Sequence, residues 1–316
     1  MKYFKNQKLF VYVFIFISIQ IYSQEYSTEI IKLWEGEKTP FNKENIKLKE
    51  TLDEAGKRYT QISEPTIYVY RNKEIKNNGA ALLVCPGGGY AKVAIGNNNG
   101  ESSAKHFLKM GFNVVAVLKY RLPDTLIVYS QEKVPLCDAQ KALSIIHQNS
   151  STWSIDKDKI AVMGSSAGGH LAASLVNLQE QIIAPGVKPE DLTLAASILL
   201  YPVVSFNLPY RHKGSYKYLL ADKSNDQTLL DYYSMENKVS KNTTPTYIIH
   251  ALDDSSVVYQ NSLLYCESLK KHNVTYKYVE LEKGGHGFGF NFKKTGVDWT
   301  IDLEKWLHTE TNLFKN

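Results

Sequence analysis

The feature that most constrains the fold is an alternation of short apolar runs with amphipathic segments between residues 66 and 309. Runs such as AALLVC (80–85), NVVAVLKY (113–120) and KIAVMG (159–164) are apolar almost throughout. Strands that are apolar on both faces are typical of a parallel sheet covered by helices on each side. The segment 135–150 repeats apolar residues every three to four positions after a proline, which predicts one of those helices. We therefore expect an α/β fold with a mostly parallel sheet.

Two stretches depart from this rhythm. Residues 24–60 are polar and show no clear period, which predicts an extended lead-in on the surface. Residues 205–243 contain no strand pattern and are long for a loop, so we expect a small helical insertion there. Insertions at the carboxyl ends of parallel strands usually lie over the site in such folds, which predicts this position for residues 205–243.

The first 23 residues match a secretory signal peptide. A lysine-rich start, MKYFKNQK, precedes an apolar run at residues 9–19, which is short for a membrane span of about 20 residues. We expect export from a bacterium, to the periplasm or beyond, with residues 24–316 as one mature domain that is not inserted in the membrane. The chain holds 37 basic and 32 acidic residues, three of the basic ones in the predicted leader, so no nucleic-acid binding is expected. Cys85 and Cys137 lie in apolar segments, which predicts buried free thiols, and no Cys or His spacing suggests a metal site. No cofactor is expected.

The segment GSSAG at residues 164–168 is the first candidate for chemistry. It fits G-x-S-x-G with Ser166 at the centre, after a predicted strand and before a predicted helix. In such a turn the central residue has a strained backbone, which exposes its hydroxyl, and the flanking glycines allow the strand and helix to approach closely. Ser166 is therefore the predicted nucleophile; the alternative is a glycine-rich turn with a capping serine.

A second glycine cluster, VCPGGGY, ends an earlier strand at residues 84–90. It lacks the spacing of a phosphate-binding loop, so we expect its backbone N–H groups to form an oxyanion hole. The predicted donors are the N–H groups of Gly88, Gly89 and Ala167.

The base and the acid are predicted from the chain order nucleophile, acid, histidine. His286 lies between glycines in a loop and is the predicted base. Asp254 or Asp253, after the next-to-last strand, would orient its imidazole, and spacing alone does not separate the two. His250 ends a buried strand and is expected to be structural, whereas His170 could be structural or line the site.

These motifs together resemble the α/β-hydrolase-fold secreted carbohydrate esterases of the bacterial acetyl xylan esterase type, which are related to the hormone-sensitive-lipase-like esterases. The matching blocks, within residues 80–290, are LLVCPGGGY, VVAVLKYRLP, PLCDAQKAL, WSIDKDKIAVMGSSAGGHLAA, ILLYPVV, HALDDSSV and GGHGF. The resemblance implies that Asp254, four residues after the strand-end histidine, is the acid. Tyr120, Arg121 and Asp138 also match positions of that family, and we interpret them as structural rather than catalytic, with Arg121 paired to Asp138. Pro86 stands where the lipase-like relatives have histidine.

The function implied is a serine esterase that removes short acyl groups, acetyl above all, from a polysaccharide or oligosaccharide. Candidate sugar contacts are Tyr90, Asn97 and Glu101, in or beside the loop 91–101, together with the insertion 205–243. A general short-chain carboxylesterase is one alternative. A serine peptidase of the prolyl-oligopeptidase type is another, although the residues before the hydrolase core are too few for the large propeller such enzymes usually carry. A non-catalytic protein on the same fold would be expected to lack the serine or the histidine.

Overall fold

An eight-stranded sheet forms the centre of the computed structural model, which describes residues 26–73, 78–96 and 100–315. The strands are β1 (Tyr26–Lys32), β2 (Thr51–Leu52), β3 (Tyr59–Thr60), β4 (Thr66–Asn72), β5 (Ala81–Cys85), β6 (Val114–Lys119), β7 (Ile160–Ser165), β8 (Ala196–Leu200), β9 (Thr246–Ala251) and β10 (Tyr276–Leu281). The order across the large sheet is β1-β4-β6-β5-β7-β8-β9-β10, and β2 pairs with β3 separately. Strand β4 runs antiparallel to both β1 and β6, and all other neighbours in the large sheet are parallel.

Eight helices accompany these strands within the described residues. They are α1 (Glu101–Met110), α2 (Val134–Gln148), α3 (Ala167–Asn177), α4 (Lys213–Leu220), α5 (Gln227–Tyr232), α6 (Gln260–Lys271), α7 (Phe292–Thr295) and α8 (Trp299–Glu310). Every residue of β5, β6, β8 and β9 is buried. Because successive strand residues point to opposite faces, the sheet must be covered on both sides. The predicted mostly parallel α/β architecture is confirmed.

The predicted lead-in is wrong in one part, because Tyr26–Lys32 forms the antiparallel edge strand β1. Most of its side chains are at least partly exposed, so the strand carries too little alternation to be detected from sequence. Residues 205–243 contain α4 and α5 and no strand. The predicted leader lies outside the described residues, in which no helix is long and apolar enough to cross a membrane.

Candidate functional site

Ser166 occupies the turn between β7 and α3. Its φ of 55° and ψ of −125° place a non-glycine residue in a rarely populated backbone region. A Cβ on Gly164 would lie 2.1 Å from the carbonyl oxygen of Gly168, and a Cβ on Gly168 would lie 2.1 Å from that of Cys85. Only glycine fits at either position, so the close approach predicted from the GSSAG motif is present.

The neighbouring strand holds this turn in place. The Ser166 N–H donates to the Leu200 carbonyl at 3.0 Å, and the Val203 N–H donates to the Ser166 carbonyl at the same distance. Both partners lie at or just beyond the end of β8. The unusual backbone of Ser166 is thereby stabilised from outside the turn, and the helix N-terminus behind it favours negative charge near the serine.

A hydrogen-bonded chain joins Ser166 to His286 and Asp254. The His286 Nε2 lies 2.8 Å from the Ser166 Oγ, and its Nδ1 lies 2.7 Å from the Asp254 Oδ2. These residues follow β7, β10 and β9, whose carboxyl ends meet at one edge of the parallel sheet. An ionised carboxylate can only accept, so Nδ1 carries the proton and Nε2 accepts from the serine hydroxyl. This is the geometry of an activated nucleophile.

The Asp254 carboxylate is buried among hydrogen-bond donors. Its Oδ1 accepts from the N–H groups of Ser256 at 2.9 Å and Val257 at 3.0 Å, and His250 Nε2 lies 3.3 Å from its Oδ2. Burial alone raises the pKa of Asp254. The hydrogen bonds from His250 and His286, the His286 charge and the Val257 N–H outweigh it and hold that pKa well below its usual range. Asp254 therefore remains an anion throughout the neutral pH range.

The structure separates the two aspartates that spacing left open. Asp253 does not reach the imidazole; its Oδ1 instead accepts the Gly285 N–H at 2.7 Å. Asp254 orients the ring and Asp253 anchors the loop that carries it. Sequence reasoning missed this anchoring role.

Tyr201 is a second residue that the sequence analysis missed. Its ring packs edge-on against His286, with centroids 5.0 Å apart and an interplanar angle of 67°. Burial raises its pKa to about 12, against opposing hydrogen bonds with Ser165 and the Gly289 backbone. The phenol therefore stays neutral, and its ring fixes one face of the imidazole. The motif ILLYPVV could have indicated this position, because Tyr201 directly follows β8 at the edge of the sheet where the other site residues lie.

The predicted oxyanion loop lies against the serine. A Cβ on Gly87 would lie 3.1 Å from the Ser166 Cβ, and Gly88 and Gly89 have φ values of 137° and 67°. Within the described residues, the N–H groups of Gly88 and Gly89 donate to no backbone carbonyl. The Tyr120 hydroxyl holds the start of the loop by donating to the Pro86 carbonyl at 2.9 Å.

Two of the three predicted sugar contacts are corrected by the structure. Tyr90 has a φ of 61°, is 2% exposed, and its hydroxyl lies 2.8 Å from the His170 Nδ1, so it is a core residue. Glu101 accepts from the Tyr26 hydroxyl and pairs with Lys105. Tyr26 lies on β1, four strands from β7 and so roughly 19 Å away across the sheet. The third predicted contact, Asn97, lies outside the described residues.

Several other residues singled out in the sequence make their contacts away from the serine. Arg121 and Asp138 form a fully buried ion pair at 2.6 Å, as expected. The three cysteines are buried and free, and burial raises the pKa of the Cys85 thiol to about 12. His170 lies between Tyr90 and the Tyr233 carbonyl, a structural position. The part of the chain that the structure describes contains no cluster of three or more His, Cys, Asp or Glu that could hold a metal ion.

A mostly parallel sheet with a serine turn after β7, an aspartate after β9 and a histidine after β10 defines an α/β hydrolase. One solved structure, an acetyl ester-xyloside bifunctional hydrolase from Caldicellulosiruptor lactoaceticus, matches with a TM-score of 0.71 and 32% identity. The match covers 89% of this chain and 96% of that one. The BD-FAE family model matches residues 67–269, more than half of the chain, and the protein belongs to this family.

Two curated relatives are similar over most of this chain. Endo-1,4-beta-xylanase B of Butyrivibrio fibrisolvens is 32% identical over 71% of this chain and 34% of its own length. Acetylxylan esterase of Xylanibacter ruminicola is 29% identical over 73% of this chain and 45% of its own length. The chain therefore spans between a third and a half of the length of these relatives.

Proposed function

We propose that the protein is a serine esterase that removes short acyl groups, acetyl above all, from a polysaccharide or oligosaccharide. The observation that carries the proposal is the chain Ser166–His286–Asp254 beside the glycine loop 87–89. The names of two matched proteins, an acetylxylan esterase and an acetyl ester-xyloside hydrolase, support the acyl group and the carbohydrate class. We further propose that residues 1–23 are a cleaved leader and that the enzyme acts after export.

The reaction proceeds through an acyl-enzyme. The Ser166 Oγ attacks the ester carbonyl while His286 Nε2 takes its proton, and Asp254 stabilises the imidazolium that forms. The N–H groups of Ala167, Gly88 and Gly89 donate to the oxyanion of the tetrahedral intermediate. His286 then returns the proton to the leaving alcohol, and a water molecule repeats the cycle to release the acid and free Ser166.

The test is release of acetate from acetylated xylan, acetylated mannan, acetylated pectin and p-nitrophenyl acetate, with wild type and Ser166→Ala compared. Loss of the nucleophile is expected to lower kcat by at least about 10⁴-fold on every substrate. Release from one polymer, abolished in the variant, would support the proposal. Hydrolysis of p-nitrophenyl acetate alone would replace it with a general short-chain carboxylesterase.

A further inference from the structure

His212 reaches the oxyanion loop from the segment 205–243. The residue caps the N-terminus of α4, and a Cβ on Gly89 would lie 3.9 Å from its Cε1. The ring thus stands beside one of the proposed oxyanion donors, although it lies far from that loop in the sequence. The sequence analysis named its segment, residues 205–243, as a candidate for sugar contacts but did not single out His212.

The protonation of the ring follows from its contacts. The Ser215 N–H donates to the His212 Nδ1 at 3.2 Å, and the Ser215 hydroxyl lies 2.8 Å from the same atom. Burial, reinforced by the charge of His286, lowers the pKa of His212, and Asp254 opposes this shift more weakly. A neutral ring that accepts at Nδ1 carries its proton on Nε2.

The Nε2–H is a donor without a partner among the described side chains and backbone groups, on a residue that is only partly buried. The ring adjoins Gly89 on one side, and it is close enough to His286 for the charge of that residue to lower its pKa. In the tetrahedral intermediate the oxyanion lies at the glycine loop and the leaving oxygen at His286. A group near both lies beside the alcohol portion of the substrate.

We propose that His212 Nε2–H donates a hydrogen bond to an oxygen of the sugar that carries the ester, so that His212 selects carbohydrate esters over alkyl esters. This inference rests on the proposed function, since it needs an alcohol portion with a ring oxygen or a neighbouring hydroxyl. His212 is a specificity-determining residue that takes no part in proton transfer to or from Ser166.

The test uses two matched esters, a methyl xyloside carrying one acetyl group and cyclohexyl acetate, whose ring has no other oxygen. The variant His212→Asn retains a side-chain oxygen that can cap α4, because asparagine is a favoured N-cap, but it is too short to replace Nε2–H. Ser215→Ala is the control, because it removes the hydroxyl contact with Nδ1 and leaves the ring in place. For each protein, kcat/KM is measured on both esters.

For wild type, a preference for the xyloside ester is expected. His212→Asn should lower kcat/KM on that ester about tenfold, the effect of one hydrogen bond, and leave cyclohexyl acetate within about twofold. Ser215→Ala should keep the wild-type preference. If wild type prefers the xyloside ester and His212→Asn keeps that preference, the role of His212 is overturned alone. If wild type shows no preference, the carbohydrate assignment and this inference fail together.

Discussion

Replacement of Asp254 by asparagine should invert the hydrogen bonding of the triad with almost no change in volume. The Oδ1 position accepts two backbone N–H groups, so an asparagine must keep its carbonyl oxygen there. Its NH₂ group then occupies the Oδ2 position, 2.7 Å from the His286 Nδ1. The imidazole must accept at Nδ1 and carry its proton on Nε2, where it can no longer take the Ser166 proton.

The size of the effect follows from two losses. An imidazolium and a carboxylate about 4 Å apart attract by about 4 kcal/mol at an effective dielectric constant near 20, which corresponds to about 10³ in rate. The wrong tautomer removes the base from most molecules and adds about another factor of ten. We expect kcat to fall by about 10⁴, the scale known for this substitution in other triads.

The assay is steady-state hydrolysis of p-nitrophenyl acetate at pH 7.5, with urea unfolding to show that the variant is folded. Asp253→Asn is the matched control, because an asparagine oxygen can still accept the Gly285 N–H; its kcat should stay within about threefold of wild type. If folded Asp254→Asn keeps more than a tenth of the wild-type kcat, Asp254 does not set the tautomer of His286.

Two further predictions concern the serine turn and acid stability. Gly168→Ala would place a methyl group 2.1 Å from the Cys85 carbonyl oxygen. We therefore expect the free energy of unfolding, measured with urea, to fall by about 1–3 kcal/mol. We also expect more than about a tenfold fall in kcat as the oxyanion loop is displaced; wild-type values for both would refute the close approach. Burial lowers the pKa of His170 to about 4 in the folded protein, although its hydrogen bond to Tyr233 opposes the shift. In the unfolded chain the pKa is about 6.5, so below that pH the unfolded state binds more protons than the folded state. As the pH is lowered from about 6.5 to about 4, the free energy of unfolding should fall less steeply for His170→Gln than for wild type. Equal slopes would contradict this.

The centre of the site could be predicted from sequence because its constraints are local. The serine turn needs glycine two residues before and two residues after Ser166, because a Cβ at either position would clash with backbone. This requirement is visible within a motif of five residues. His286 lies between glycines in a loop after a strand, and chain order relates it to the serine. Such features can be recognised in a sequence because they depend on backbone geometry over a few residues.

The choice of acid and the periphery depended on contacts between distant segments. Residue spacing alone does not show which of the two neighbouring aspartates is the acid. The structure distinguishes them by their partners, because Asp253 bonds to Gly285 and Asp254 bonds to His286. Glu101 starts the helix after the glycine loop, yet its partner is Tyr26, which lies 75 residues away on an edge strand. Sequence proximity to a site therefore did not imply membership of it.

A buried histidine, His170, connects the segment 205–243 to the residue that follows the glycine loop. The Tyr233 carbonyl can only accept, so His170 donates to it through Nε2 and accepts the Tyr90 hydroxyl at Nδ1. This buried relay joins the glycine loop, α3 and the segment 205–243. His212, from that same segment, lies near Gly89. The insertion therefore supports the end of the glycine loop through Tyr233, and a change that displaces the Tyr233 carbonyl would also disturb the contact between His170 and Tyr90.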